Sequence, residues 1–215
     1  MIVGMWMTRD LVCIQADTPV QEAARLMRDN HIRRLPVVAQ GVGDPSLLGI
    51  VSATDVYRAY PLHCNPFASD PPALASAATA AQIMSTSIST TSPDTPLEDA
   101  AAIMRERKIG ALPVVRQGRL LGLITESDIF RAFISILKAD TDAVRVTFSV
   151  TRGEDLFSLL ADAVRNSQIQ VLSMMASRRD GQNMCVVRIS GGGVEKFIDS
   201  LWKSGHQVMN VLHAS

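Results

Sequence analysis

Apolar and polar positions in the N-terminal part of the chain follow first a helical and then a strand pattern. Four apolar side chains recur at helical spacing and predict the buried stripe of a helix: Ala23, Ala24, Leu26 and Met27. The apolar runs 35–38 and 47–51 follow and predict two short strands joined by a turn. A second helix is predicted from about residue 53, and the side chains expected to face inward from it are Val56, Tyr57 and Tyr60.

This pattern occurs twice, which indicates an internal repeat. The segment DTPV at 17–20 returns as DTPL at 94–97, and the strand segment LPVV at 35–38 returns unchanged at 112–115. Beyond these strands the spacing between the copies becomes shorter, because the first copy has extra residues within 40–46. This Gly- and Pro-containing stretch predicts an enlarged hairpin turn. Each copy is expected to fold as strand, helix, strand, strand, helix.

A Thr-Pro pair marks the start of the first helix in each copy. Thr18 and Thr95 are predicted N-caps, each followed by a proline at the first helical position. Gln21 and Glu98 stand at the third position after them and complete two predicted capping boxes.

The last third of the chain changes pattern and predicts a separate domain at 143–215. Its segments predict, in order, strand 144–148, helix 155–166, strand 169–176, strand 185–189, helix 194–203 and strand 208–212. This β-α-β-β-α-β order is that of a ferredoxin-like domain, so the predicted fold class is α+β. The three glycines 191–193 are interpreted as a flexible turn, because no Lys-Ser/Thr pair of a phosphate-binding loop follows them.

The composition is that of an ordinary globular protein without a strong charge. Among 215 residues, 21 are Lys or Arg and 21 are Asp or Glu, which leaves no general electrostatic attraction for nucleic acid or an acidic membrane. Three widely separated cysteines suit neither a disulfide framework nor a thiol metal site. With no signal peptide and no long apolar run, a cytoplasmic protein is expected.

Two pairs of segments carry a family resemblance: HIRRLPVV with KIGALPVV, and GIVSATD with GLITESD. Together they resemble a tandem CBS-domain pair (Bateman module), with CBS domains expected at 1–60 and 81–138. A Pro- and Ala-rich linker is expected at 61–80, with one helical turn near Leu74. The resemblance implies a pseudosymmetric disc with two clefts for an adenosine-containing ligand, namely AMP, ADP, ATP or S-adenosylmethionine.

The resemblance also implies roles for four residues of the repeated motif. Asp55 and Asp128 are expected to bind ribose, and Ser52 and Thr125 are expected to help hold phosphate. A carboxylate suits the first role because it can accept hydrogen bonds from two vicinal hydroxyls. The alternative is that both Ser/Thr-x-x-Asp motifs are helix caps that need no ligand.

Basic residues before the first hairpin strand of each copy are further phosphate candidates. Arg33 and Arg34 in the first copy, and Lys108 in the second, stand where the family often places phosphate-facing cations. One arginine is expected inward and one outward, because neighbours on an extended segment face opposite sides. Which cleft receives them is open, and the alternative is a pair of solvated charges favoured by the helix dipole. Contacts with the base are expected from Ile32, Ile109 and Ala111.

The C-terminal third resembles an ACT domain, and a CBS pair followed by an ACT-like domain is similar to acetoin-utilisation-type regulatory proteins. The loop 152–156 lacks the Pro-Gly that the ACT family uses for its ligand. Subunit pairing, giving a homodimer, is therefore expected of this domain rather than amino-acid binding.

Two classes of function remain after catalysis is considered. His63 and Cys64 are adjacent in the linker and do not converge, and His206 and His213 are spaced so as to face opposite sides of a strand, so neither an enzyme nor a metal site is expected. The favoured hypothesis is a regulatory protein that senses an adenosyl compound and transmits the change to an unidentified protein partner or to its own dimer. The alternative is a structural or interaction module with empty clefts.

Overall fold

The computed structural model of the protein divides into two compact units, Met1–Arg131 and Ala132–Ser215, which are described separately. It describes residues 1–39, 46–60, 64–69, 78–137, 143–151, 153, 155–179 and 181–213. Residues 40–45 of the predicted turn at 40–46, and the predicted helical turn near Leu74, lie outside these residues.

The first unit contains two copies of one set of elements. In the first copy these are α1 (Val20–Asp29), β1 (Arg34–Val38), β2 (Leu47–Ser52) and α2 (Ala53–Ala59). A short helix α3 (Ala80–Ile83) precedes the second copy, which consists of α4 (Leu97–Arg107), β3 (Ala111–Arg116), β4 (Arg119–Thr125) and the start of α5 (Glu126–Leu137), a helix that continues past Arg131. The predicted helices and hairpin strands are therefore present in both copies.

The strands of each copy form an antiparallel hairpin. The two hairpins carry a register shift at equivalent positions, after Val37 and after Val114. The strand predicted to open each copy is present only as one parallel bridge. This bridge joins Ile14 to Val37 in the first copy and Thr91 to Val114 in the second. Sequence equivalence therefore extends to backbone pairing.

The predicted capping boxes at Thr18 and Thr95 are wrong. The helices begin one residue later than predicted, with Pro19 and Pro96 as N-caps and no side-chain cap bond. Each threonine hydroxyl instead accepts a hydrogen bond from an earlier backbone N–H, that of Gln15 at 3.0 Å and that of Ser92 at 3.2 Å. The hydroxyl closes the preceding turn and is not available to the helix.

The core of the first copy lies between α1, α2 and the hairpin. Ala23, Ala24 and Met27 are buried as predicted, whereas Leu26 is partly buried. Val56 of α2 is buried as predicted, and so is Tyr60, which follows the helix as its C-cap. Tyr57 does not face inward as predicted but is 52% exposed, because it lies one position round the helix, where its ring contacts that of Phe67 at a centroid distance of 4.9 Å.

The second unit has the predicted β-α-β-β-α-β order. Its elements are β5 (Val144–Val150), α6 (Leu156–Ser167), β6 (Gln170–Arg179), β7 (Gln182–Ser190), α7 (Val194–Lys203) and β8 (Val208–His213). The strands form an antiparallel sheet in the order β6-β7-β5-β8. Phe148 of the sheet packs in one core with Leu160 of α6 and Phe197 of α7, so both helices cover the same face.

The glycines before α7 form a packed turn, which corrects their interpretation as a flexible one. A Cβ at Gly193 would overlap the carbonyl oxygen of Ser167, the last residue of α6. Gly191 has a φ of 113°, in the region that favours glycine. Close approach of two backbones, rather than flexibility, requires glycine here.

Candidate functional site

The first unit contains two clefts, each lined by both copies of the repeat. The Asp55 cleft has a volume of about 400 Å³ and contains Ser52 and Asp55 of the first copy with Lys108 of the second. The Asp128 cleft has a volume of about 310 Å³ and contains Thr125 and Asp128 of the second copy with residues of the first. Both volumes are in the range of small-molecule sites.

The repeated motif forms the same cap in both clefts. Asp55 Oδ2 accepts hydrogen bonds from Ser52 N at 2.9 Å and Ser52 Oγ at 2.5 Å, and Asp55 N donates to Ser52 Oγ at 3.3 Å. In the second copy, the equivalent bonds between Thr125 and Asp128 measure 2.9, 2.7 and 3.3 Å. The capping alternative is therefore present in the structure. Because each hydroxyl donates its proton to the carboxylate, Ser52 and Thr125 would have to break this bond to donate to a phosphate.

The second carboxylate oxygen of each motif faces an arginine that the sequence analysis missed. Arg131 Nη1 lies 3.2 Å from Asp128 Oδ1, and Arg58 Nη1 lies 3.9 Å from Asp55 Oδ1. Both arginines line the cleft of their own aspartate. Their signal was the repeat itself, because the alignment of GIVSATDVYR with GLITESDIFR pairs the two arginines as it pairs the two aspartates.

The loops before β1 and β3 cross to the opposite cleft. Lys108, Ile109 and Ala111 of the second copy line the Asp55 cleft. Residues 31–34 of the first copy, which include Ile32, Arg33 and Arg34, line the Asp128 cleft. The open question of which cleft receives the arginines therefore has two answers, because Arg33 lines the Asp128 cleft alone and Arg34 lines both clefts.

Arg33 and Arg34 alternate as extended neighbours should. Arg33 is exposed, whereas Arg34 is half-buried and lines the Asp55 cleft as well as the Asp128 cleft. Burial and the neighbouring charge of Arg33 lower the pKa of Arg34, and the carboxylate of Glu126 opposes this effect. A buried guanidinium remains charged at neutral pH because its ordinary pKa is so high.

Gly110 leaves room for Arg34. A Cβ at residue 110 would lie 2.5 Å from Arg34 Nη2 and 2.9 Å from Glu126 Oε2. Residue 110 is the repeat equivalent of Arg33, so the missing side chain in the second copy admits a cation from the first.

A third wall of each cleft was also missed by the sequence analysis. Ser85, Ser87 and Ser89 line the Asp55 cleft. The equivalent positions in the Asp128 cleft are Thr8, Asp10 and Val12, and Leu11 there is the equivalent of Ile88 in the Asp55 cleft. The alignment that pairs DTPV with DTPL also pairs these segments. The Asp55 cleft thus has serines where the Asp128 cleft has an acid, Asp10, and an apolar side chain, Val12.

The residues that the structure describes contain no cluster of three or more His, Cys, Asp or Glu that could hold a metal. His63 lies outside these residues. His206 is buried, with Nδ1 2.9 Å from Ser204 Oγ, and His213 is exposed at the end of β8. Burial raises the pKa of the Cys185 thiol to about 11, so this thiol is protonated at neutral pH. Among the described helices, none has the length and apolarity needed to span a bilayer.

Comparison with known families identifies the first unit. A profile of the CBS domain matches residues 3–62 and 80–135, which are more than half of the chain. The chain belongs to the CBS-domain family. This confirms the predicted CBS pair.

Solved structures share the fold of the pair. An acetoin utilization protein (AcuB) from Vibrio cholerae is 31% identical, with a TM-score of 0.53 over 64% of this chain and 93% of its own. The CBS pair of protein MJ0100, in complex with 5′-methylthioadenosine and S-adenosyl-L-methionine, is 26% identical, with a TM-score of 0.51 over 63% of this chain and 97% of its own. CBSX2 in complex with AMP has the same identity and TM-score, over 64% of this chain and 98% of its own.

Relatives with enzyme names match over a limited part of their length. The homoserine O-acetyltransferase of Methanohalobium evestigatum is 31% identical over 126 residues, or 58% of this chain. The chain spans only about 22% of the length of that protein. The similarity therefore does not extend to most of the enzyme.

Proposed function

We propose that this protein is a regulatory sensor that binds adenosine-containing nucleotides in the clefts of its CBS pair. One observation carries the proposal: each cleft holds a fixed aspartate from one copy opposite a cation from the other. Ribose hydroxyls and a phosphate are the complementary groups, because a carboxylate accepts and a guanidinium or ammonium donates. The complexes of MJ0100 and CBSX2 with adenosyl ligands support the choice of ligand class.

Roles for individual residues follow from their place in the clefts. Asp55 and Asp128 keep Oδ2 in the cap and turn Oδ1 to the ribose. Phosphate is bound by Lys108 in the Asp55 cleft and by Arg33 in the Asp128 cleft, with Arg34 between them. Ser52 and Thr125 act mainly by orienting the carboxylates. The base is contacted by Ile32 in one cleft, and by Ile109 and Ala111 in the other.

Titration with a ligand panel tests the function. Thermal unfolding and calorimetry with AMP, ADP, ATP and S-adenosylmethionine should show stabilisation by at least one compound, because a ligand that prefers the folded state raises its stability. Asp55→Asn and Asp128→Asn should each lower the affinity of one cleft by about tenfold or more, since a hydrogen bond to a charged group contributes about 1.5–3 kcal/mol. Asparagine still caps a helix, so the fold should persist.

Asp99→Asn, which changes an exposed aspartate outside both clefts, is the matched control and should bind like the wild type. No heat and no stabilisation with the whole panel at millimolar concentration would contradict the sensor function. That result would favour the alternative, a CBS pair that serves assembly or partner binding with empty clefts.

The second unit is proposed to be an ACT-like domain that pairs two copies of the chain into a homodimer. Its helices cover one face of the sheet, and the opposite face exposes Met175 beside Val186 and Leu212 beside Arg145. Light scattering of the full chain should give a dimer mass, and Met175→Asp should shift it toward the monomer. A monomer mass for the wild type at micromolar concentration would overturn this assignment.

We place the sensor in the cytoplasm, with a protein partner and no catalytic activity of its own. The cytoplasmic placement follows from the ligand class, because adenosine nucleotides are intracellular ligands. Recovery of a partner that is released by the bound nucleotide would test the regulatory role.

A further inference from the structure

One guanidinium is shared by the two clefts. Arg34 stands at the start of β1, opposite Ser52 in the hairpin, and the residue lines both the Asp55 and the Asp128 cleft. Among the described residues, four other Lys or Arg residues each line a single one of these clefts: Arg58 and Lys108 with Asp55, and Arg33 and Arg131 with Asp128. Arg34 therefore differs from its neighbours in position rather than in chemistry.

The surroundings of Arg34 allow its charge to act on ligands in both clefts. The side chain is half-buried and lies against Gly110, which lines the Asp55 cleft. A charge in this environment is screened less than one in water, so an anion on either side interacts with it strongly. The carboxylate of Glu126, which belongs to the second copy, lies near the guanidinium and compensates part of its positive charge.

We infer that Arg34 couples the clefts negatively for phosphorylated ligands: a phosphate bound in one cleft draws the guanidinium to itself and weakens phosphate binding in the other. The inference rests on the proposed function, because it requires both clefts to bind nucleotide. The guanidinium donors lie in one plane at the end of one side chain and cannot converge on phosphates on opposite sides at once. Adenosine carries no phosphate and is bound without coupling.

Coupling of this kind has a signature that intrinsic differences between the clefts cannot produce. Two unequal but independent sites each fill along a simple hyperbola. Antagonistic sites weaken each other reciprocally, so two such sites of comparable affinity each fill over a broader concentration range. Couplings between sites commonly amount to about 5- to 150-fold in affinity, and we expect a value near the lower end, about 5- to 20-fold.

Two isoleucines allow each cleft to be followed separately. Ile32 lines the Asp128 cleft and Ile109 lines the Asp55 cleft. Isoleucine-methyl NMR of the full chain, with signals assigned by Ile32→Val and Ile109→Val, would give a filling curve for each cleft. The probes are AMP and adenosine. In the wild type, AMP should give broadened curves at both methyls and adenosine should give hyperbolic ones.

Arg34→Gln should make both AMP curves hyperbolic while leaving adenosine binding within twofold of the wild type. Gly110→Ala is the second variant, because its Cβ would displace the guanidinium from the Asp55 cleft without removing the charge. It should reduce the coupling while the Asp128 cleft still binds AMP. Arg33→Gln is the matched control, and it should weaken the Asp128 cleft for AMP without making the curves hyperbolic.

The outcomes separate this inference from the proposed function. If neither methyl responds to AMP or adenosine in the wild type, the proposed function fails, and the coupling fails with it. If both clefts fill and the wild-type AMP curves are hyperbolic, or are equally broad in Arg34→Gln and Gly110→Ala, only the coupling is overturned. If AMP fills one cleft alone in the wild type, filling of the second in either variant supports the coupling, and continued exclusion overturns it.

Discussion

The Asp55 and Asp128 clefts share one cap and differ in the walls around it. Both aspartates make the same three hydrogen bonds with the Ser or Thr that begins the motif. Asp128 is buried, at 3% exposed, whereas Asp55 is partly buried. The Asp55 cleft has Lys108 and a serine wall, and the Asp128 cleft has Arg33 and Asp10.

The difference shows which features the repeated fold requires. Hairpin registers and caps are the same in both copies, and His31 and Lys108 have left-handed backbones with φ of 54° and 53°. These features satisfy backbone geometry and hydrogen bonding, which do not depend on a ligand. The side chains of the cleft walls are not needed for backbone geometry or backbone hydrogen bonding, so their charge and polarity can differ between the copies. We therefore expect equivalent substitutions to have equal effects in the core and unequal effects in the clefts.

The largest effect is expected from equivalent core residues. Leu35 and Leu112 are both fully buried, and Leu35→Ala and Leu112→Ala should each lower the free energy of unfolding by about 2–5 kcal/mol, because each leaves a cavity. Chemical denaturation of the full chain would measure the loss. Leu48→Ala, at a position 40% exposed, is the control and should have a small effect. A threefold difference between the two core variants would break the equivalence of the copies.

Removal of the capping aspartate is expected to destabilise the two copies unequally. Asp128→Ala should lower the free energy of unfolding by about 2–3 kcal/mol and Asp55→Ala by about 1 kcal/mol. Both variants lose a cap, but only the first removes a buried carboxylate and leaves its hydrogen-bond partners unpaired. The same denaturation experiment applies. Asp128→Asn should restore much of the loss, and an equal loss in the two alanine variants would contradict the role of burial.

Ligand binding should separate the clefts by their cations. Arg33→Ala should weaken AMP about tenfold at the Ile32 methyl, and Lys108→Ala should do so at the Ile109 methyl, because each removes a charged phosphate donor worth about 1.5 kcal/mol or more. Adenosine affinity should stay within twofold in both variants. Loss of AMP affinity in the opposite cleft would show that the crossed assignment of the loops is wrong.

The smallest effect is expected from the arginines beside the aspartates. Arg131 and Arg58 have side chains 66% and 78% exposed, so Arg131→Ala and Arg58→Ala should each change the free energy of unfolding by less than about 1 kcal/mol. The loss should be larger for Arg131, which is closer to its carboxylate, and smaller at high salt because salt screens exposed charges. A loss that persists at high salt in either variant would indicate packing rather than charge.

Much of the local structure could be predicted from the sequence, because its signals act between residues close in the chain. The bounds of α7 agree with the predicted 194–203, and the pairs Ser52–Asp55 and Thr125–Asp128 were recognisable as caps from their spacing. The predictions failed where two nearby backbone groups competed for one side chain. Thr18 had two backbone groups within reach of its hydroxyl and bonded to the earlier one, and spacing cannot decide between them.

The sequence by itself determined the repeat, the hairpins and the identity of the candidate ligand-binding residues. Only the tertiary structure decided how these residues combine. A loop of each copy reaches the cleft of the other, so Lys108 lines the cleft of Asp55 and Arg33 lines the cleft of Asp128. The members of each pair are far apart in the chain, which is why the sequence pattern does not show the pairing. The shared position of Arg34 is of the same kind. It depends on space left by a glycine in the other copy, and no pattern within either copy alone carries that information.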